Sequence, residues 1–216
     1  MIRGIIFDLD GVIVDTAKYH YLAWQRMAQK LGVKFTEEEN EQLKGVSRRG
    51  SIEKIMNWGG ITLPEHEIEH WMKVKNEWYL EYVEAMSPSE ILPGAAEIIA
   101  EAKSLGLKIS LGSASKNSQF ILERVGLIQE FDALVDGNVV SASKPDPEVF
   151  LTGAKLLQLD PEECIVFEDA VAGVQAAKNG NMTVVGIGDE TVLQEADFNF
   201  QSMADFSLKS DIIEKI

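Results

Sequence analysis

The chain has 216 residues, with 35 acidic against 20 basic side chains and a formal net charge of −15. That balance excludes a protein built to hold a nucleic-acid backbone, which presents a basic face, so any phosphate bound here must meet a local positive site. At 45% hydrophobic residues the chain can bury one well-cored domain with a smaller insertion. The single cysteine, Cys164, has no partner for an internal disulfide and reads as a small buried apolar residue. Asp8 comes too early for the apolar region of a signal peptide, and no apolar run approaches membrane-spanning length. The expectation is a cytoplasmic protein with no membrane and no nucleic-acid partner.

In chain order, the apolar run at residues 4–7 reads as a strand. From about residue 15 to residue 87 the pattern turns helical, sets tryptophans among many charges and offers no strand, which predicts an all-helical insertion over 15–87. Ser87-Pro88-Ser89 and Pro93-Gly94 punctuate the return to the core, residues 1–14 and 88–216. There the spacing predicts helices over 94–105, 116–125, 147–157 and 171–179 and strands over 108–111, 164–167 and 183–187. Alternating strands and helices predict an α/β core, a parallel sheet flanked by helices.

Polar residues gather where the predicted strands end, the edge at which open parallel sheets place their ligands. Asp8 and Asp10 leave the first strand two residues apart, and Gly11 permits a sharp turn. Ser113, Ala114, Ser115, Lys116 and Asn117 form a small-residue loop that opens a helix; its hydroxyls and backbone N–H groups suit an anion, although the same residues simply cap helices elsewhere. Lys144 precedes a proline-initiated helix and, taken alone, reads as a solvated lysine. Glu168 and Asp169 end another strand, where Asp169 also has a plain N-cap reading. If Asp8, Asp10, Glu168 and Asp169 converge, each pair repels by about 4 kcal/mol at about 4 Å in an effective dielectric near 20. A divalent cation removes that cost, and an oxygen-only ligand set suits Mg²⁺ completed by water and a phosphate oxygen. Lys144 and Ser113 would then hold other phosphate oxygens.

The Asp8-Leu9-Asp10-Gly11-Val12 start, Ser113, Lys144-Pro145 and Glu168-Asp169 occur in the order of the four motifs of haloacid dehalogenase superfamily phosphotransferases, which the chain resembles over essentially its whole length. The resemblance implies a Rossmann-like core with a helical cap inserted after the first strand. It also implies Asp8 as a nucleophile that becomes an aspartyl-phosphate, and Asp10 as general acid and base that lends its backbone carbonyl to the metal.

The cap is where substrates are told apart within such a fold. Asp15-Thr16-Ala17-Lys18-Tyr19-His20, Ala23-Trp24, Gln42-Leu43-Lys44-Gly45-Val46-Ser47-Arg48, Ser51, Lys75-Asn76 and the Ser113 to Asn117 loop are similar to the β-phosphoglucomutase family. That likeness implies conversion of β-D-glucose 1-phosphate to glucose 6-phosphate through β-glucose 1,6-bisphosphate. By it, Arg48 with Ser115, Lys116 and Asn117 binds the non-reacting phosphate, a task that suits a guanidinium fork. Lys44, Gly45, Val46, Ser47 and Ser51 face the sugar, with Ala114 and Trp24 also on the substrate side, although Trp24 has the spacing of a cap-core residue. Thr16, His20 and Lys75 couple cap closure to Asp10, which would suppress attack by water. The alternative is a Mg²⁺-dependent phosphatase of small sugar phosphates. Two positions depart from the family pattern: Arg49-Gly50 stands where a more acidic pair is expected, so that Arg49 could compete for the distal phosphate, and Ala170 replaces a hydroxyl residue. One hinged chain can form the whole site, so a monomer is expected.

Overall fold

A computed structural model describes residues 1–43 and 46–215; Lys44 and Gly45, two of the expected sugar-facing residues, lie outside the described residues, as does Ile216. The chain divides into two compact units, Met1–Asp15 with Ser87–Ile216, and Thr16–Met86.

The larger unit is built on six parallel strands in the order β3-β2-β1-β4-β5-β6: β1 (Gly4–Phe7), β2 (Lys108–Gly112), β3 (Ala133–Val135), β4 (Cys164–Glu168), β5 (Thr183–Ile187) and β6 (Phe198–Phe200). This is the expected Rossmann-like class. β1, β4 and β5 are nearly continuous buried runs because a parallel sheet is covered on both faces. The longer helices of this unit are α5 (Ala95–Ser104), α6 (Ser118–Arg124), α7 (Glu148–Leu157) and α8 (Val171–Asn179); register sets Ile6, Val166 and Val184 abreast, and they bury against Phe150 and Leu157 of α7 and Val174 of α8. The alternate residues point the other way, where Phe7 stacks on Phe167 at 5.0 Å and Phe167 on Phe206 at 5.9 Å. Trimming fully buried Phe150 to alanine would cost this core about 3–5 kcal/mol.

β3 and β6 are additions to the expected set. Each has three residues and most are only partly buried, too little for a periodic signal. The helix expected from residue 116 begins at Ser118, because Ser115 and Asn117 take up a hydrogen-bonded turn first.

The smaller unit is all helical: α1 (Ala17–Lys30), α2 (Glu37–Glu41), α3 (Arg48–Gly59) and α4 (Glu65–Val83). Its core joins Trp24 and Met27 of α1 to Ile52 and Ile55 of α3 and Ile68 of α4, with Phe35 between. All four tryptophans of the chain lie here, and the Arg26 guanidinium sits 4.1 Å from the ring centre of Trp78, covering it from water. Among the described residues no helix is long and apolar enough to cross a membrane.

Candidate active site

Register places Phe7 level with Leu111 and Phe167, and Gly112 level with Val135, so Asp8, Ser113 and Glu168 leave the sheet along one edge. β1 lies between β2 and β4, where the strand order reverses, the position at which doubly wound sheets open a crevice. Asp8 Oδ1 accepts a 2.7 Å bond from Lys144 Nζ, and the same ammonium donates to Glu168 Oε1. All three are buried, at 6%, 8% and 1% exposure for Asp8, Lys144 and Glu168. The solvated reading of Lys144 is therefore corrected: the lysine is an internal counter-ion. Burial works against its charge, yet the carboxylates of Asp8 and Glu168 outweigh burial and raise its pKa. Burial likewise raises the Glu168 carboxyl, with Lys144 pulling the other way.

Side-chain oxygens of Asp8, Glu168 and Asp169 lie within 4.8 Å of one another. Among the described residues the three carboxylates gather about one ammonium, and the donors are oxygen alone, which fits Mg²⁺ and not zinc. Asp10, expected to offer its backbone carbonyl, is partly exposed and adds no carboxylate to this cluster among the described residues. Two glycines make the arrangement possible. Gly11 has φ +82, and a Cβ there would stand 2.1 Å from Asp169 Oδ2; a Cβ on Gly173 would stand 1.8 Å from Glu168 Oε1. The first was visible as a turn glycine. The second was not read from sequence, although a glycine inside a helix is a signal for close approach. The N-cap reading of Asp169 is corrected as well: α8 is capped by Ala170, whose N–H donates to Glu168 Oε2 at 2.7 Å.

The Ser113 to Asn117 loop is held by its own groups. Ser113 is buried, its N–H donates to Val135 O at 3.0 Å, and its Oγ accepts from Ser115 N at 3.1 Å. Ser115 Oγ accepts from Asn117 N at 3.3 Å, and both hydroxyls keep a proton to donate. Lys116 is exposed, with Ala114 and Asn117 partly so. Sequence reading also missed what aims Lys144: Glu148 accepts from the N–H groups of Ser141 and Ala142 at 2.9 and 2.6 Å, and Asn179 Nδ2 donates to Pro145 O at 3.0 Å.

In the helical unit, α1 and α4 bring His20 and Lys75 together, with Lys75 Nζ donating to His20 Nδ1 at 2.9 Å. Burial lowers the pKa of His20 well below its usual range, and the charges of Lys75 and Arg48 add to the effect, so the ring is neutral with its proton on Nε2. Lys75 is itself 2% exposed, with its ammonium 4.4 Å from the ring centre of Trp24 and 4.8 Å from that of Tyr79. Trp24, 2% exposed, belongs to the helical core. Arg48 donates to Asn76 Oδ1 at 2.7 Å, and burial lowers its pKa. Thr16 and Ser51 are buried; Ser47 caps α3 by accepting from Gly50 N at 3.2 Å, with Val46 partly exposed before it.

The family model for haloacid dehalogenase-like hydrolases matches residues 2–181. A β-phosphoglucomutase of Bacillus subtilis is 38% identical over 96% of this chain and 92% of its own length. A phosphorylated carbohydrates phosphatase of Thermotoga maritima is 31% identical over 90% of this chain and 91% of its own. A solved β-phosphoglucomutase from Clostridium difficile superposes with a TM-score of 0.95 at 39% identity, covering 100% of this chain and 96% of that one. A buried aspartate paired with a buried lysine beside a carboxylate cluster agrees with these matches, and the chain belongs to the haloacid dehalogenase-like hydrolase family, in its β-phosphoglucomutase branch.

Proposed function

We propose that the chain is a magnesium-dependent β-phosphoglucomutase, interconverting β-D-glucose 1-phosphate and glucose 6-phosphate by way of an Asp8-phosphate and β-glucose 1,6-bisphosphate. The observation that carries this reading is the buried trio of Asp8, Lys144 and Glu168, in a chain whose likeness to β-phosphoglucomutases runs nearly end to end.

From the phosphorylated enzyme, the 6-hydroxyl of glucose 1-phosphate attacks phosphorus, its proton passes to Asp10, and the bond between phosphorus and Asp8 breaks. The bisphosphate turns round. Asp8 then attacks the 1-phosphate, the bond between phosphorus and O1 breaks, and Asp10 returns the proton to O1. Lys144, held charged by its two carboxylates, and the Ser113 hydroxyl hold oxygens of the transferring group. Asp8, Glu168 and Asp169, with the Asp10 carbonyl, would hold Mg²⁺, whose charge would offset that of the transferring group. The resemblance assigns each unit its own phosphate-holding set, Ser115, Lys116 and Asn117 in one and Arg48 in the other. Val46, Ser47, Ser51, Lys44, Gly45 and Ala114 are assigned to the sugar. Neutral His20, fixed by Lys75, is assigned with Thr16 to the coupling of closure to acid–base chemistry. A cytoplasmic monomer is part of the same proposal, supported by a lone buried cysteine and by a single chain that supplies every assigned group.

The test is an assay with Mg²⁺, β-glucose 1-phosphate and a trace of β-glucose 1,6-bisphosphate, following glucose 6-phosphate and inorganic phosphate together. Glucose 6-phosphate without stoichiometric phosphate is expected. Phosphate without glucose 6-phosphate would make water the acceptor and the chain a sugar-phosphate phosphatase, the activity named for the Thermotoga maritima relative.

A further inference from the structure

Beyond its Ser47 cap, the first turn of α3 is weakly built by its own sequence. It opens Arg48-Arg49-Gly50, with no acidic residue in that turn. Cations at a helix N-terminus oppose the macrodipole, and glycine raises the entropy lost on ordering. Yet this turn carries Arg48, the guanidinium assigned above to the non-reacting phosphate. The cap fixes the backbone of the turn, and a tie from outside the turn can fix it against its neighbour.

Arg49 has the geometry to do so. Its Nε donates to Glu53 Oε1 at 2.6 Å, one turn along the same helix. Its two terminal nitrogens take both oxygens of Glu65, the first residue of α4, with the second bond at 2.8 Å. The hydrogen bonds to Glu65 and then Glu53 raise the Arg49 pKa, and the bond from Arg49 lowers that of Glu65, so both groups stay charged. Fork-to-fork pairing fixes direction as well as distance. Consecutive helix positions point about 100° apart, so Arg48 and Arg49 cannot serve one ligand from one face. Arg48 turns instead to a neutral amide, Asn76 of α4. α4 is thus tied to the opening of α3 at two points, by the Glu65 carboxylate through Arg49 and by the Asn76 amide through Arg48.

We propose that Arg49 is a positioning residue for phosphate binding: by bridging Glu53 and Glu65 it locks the first turn of α3 to α4 and presents Arg48 aimed and still able to take an anion. The inference rests on the phosphate role of Arg48 given above. It replaces the expectation that Arg49 competes for the distal phosphate.

Glu65→Gln separates the two ideas by sign. A lock predicts that Glu65→Gln and Arg49→Gln each raise KM for β-glucose 1-phosphate by about two- to fivefold, the factor expected of an exposed ion pair, with kcat unchanged. Their combination should be no worse than either alone. A competing ligand predicts that Glu65→Gln frees Arg49 and lowers KM. That fall, or a KM unmoved by Glu65→Gln, would overturn the proposal. The ratio of variant to wild-type KM is read in whichever product channel the wild type runs, so failure of the mutase reading shows separately, as wild-type phosphate release.

Discussion

Replacing Lys144 by methionine keeps most of the aliphatic stem and removes the ammonium between Asp8 and Glu168. The side chains of Lys144 and Glu168 are 2% and 1% exposed, so water cannot take the lysine's place cheaply. With the oxygens of Asp8, Glu168 and Asp169 inside 4.8 Å, two of these charges repel by about 3 kcal/mol at an effective dielectric near 20. That is near the lower end of the cost, about 3–5 kcal/mol, of removing one partner from a buried ion pair. At about 2–4 °C per kcal/mol for a chain of this size, Tm should fall by about 6–12 °C. Thermal unfolding of both proteins in EDTA at about pH 8.5 gives the measurement; lower pH is avoided because burial raises the Glu168 pKa and a captured proton would hide the repulsion. Mg²⁺ should then stabilise Lys144→Met more than the wild type, since a cation relieves the same repulsion. An unchanged Tm in EDTA, or a larger gain from Mg²⁺ in the wild type, would refute the reasoning.

Asp8→Asn should abolish turnover, by about 10⁴-fold or more, while circular dichroism and Tm stay near wild type, because Glu168 still pairs Lys144. Gly173→Ala sets a methyl group on Glu168 Oε1 and should weaken Mg²⁺ binding by about 10–100-fold in calorimetry, the usual effect of misplacing a ligand's support; an unchanged affinity would remove Glu168 from the metal set. His20 has a folded pKa below its unfolded value of about 6.5, so the unfolded chain binds the extra proton and stability falls as pH drops below about 6.5. The Tm difference between about pH 7.5 and pH 5.5 should therefore shrink in His20→Asn, and a difference as large as in wild type would mean that the ring titrates normally.

Much of this was legible where burial was complete. The buried runs of β1, β2, β4 and β5 announce themselves because their interior residues are apolar or small, whereas β3 and β6 are too short and too exposed to carry a pattern. The site followed the same logic, since acids at the ends of core strands are expensive unless something offsets them. What sequence could not supply was the pairing. Nothing local shows that Lys144 reaches Asp8 across 136 residues, or that Arg49 finds Glu65 across 16. Taken alone Lys144 read as solvated, which its buried pairing overturns; for Arg49 the pairing supports the proposed tie in place of the competitor suggested by its departure from the family pattern.

Those partners also explain how so acidic a chain can hold phosphate. A cation attracts an anion only to the extent that its charge is not already neutralised nearby. Lys144 sits between two carboxylates, so its own field is cancelled and the trio attracts phosphate only with a divalent cation beside it. Arg49 is neutralised by Glu53 and Glu65 in the same way, and becomes a structural tie. Arg48, one residue earlier, donates to an uncharged amide and is partly buried, which keeps its charge uncompensated by that partner and strengthens its field. Of two adjacent arginines the sequence offers no means to choose, but partner chemistry does: in the roles proposed above, the one bound to carboxylates supports, and the one bound to an amide is left to receive the anion.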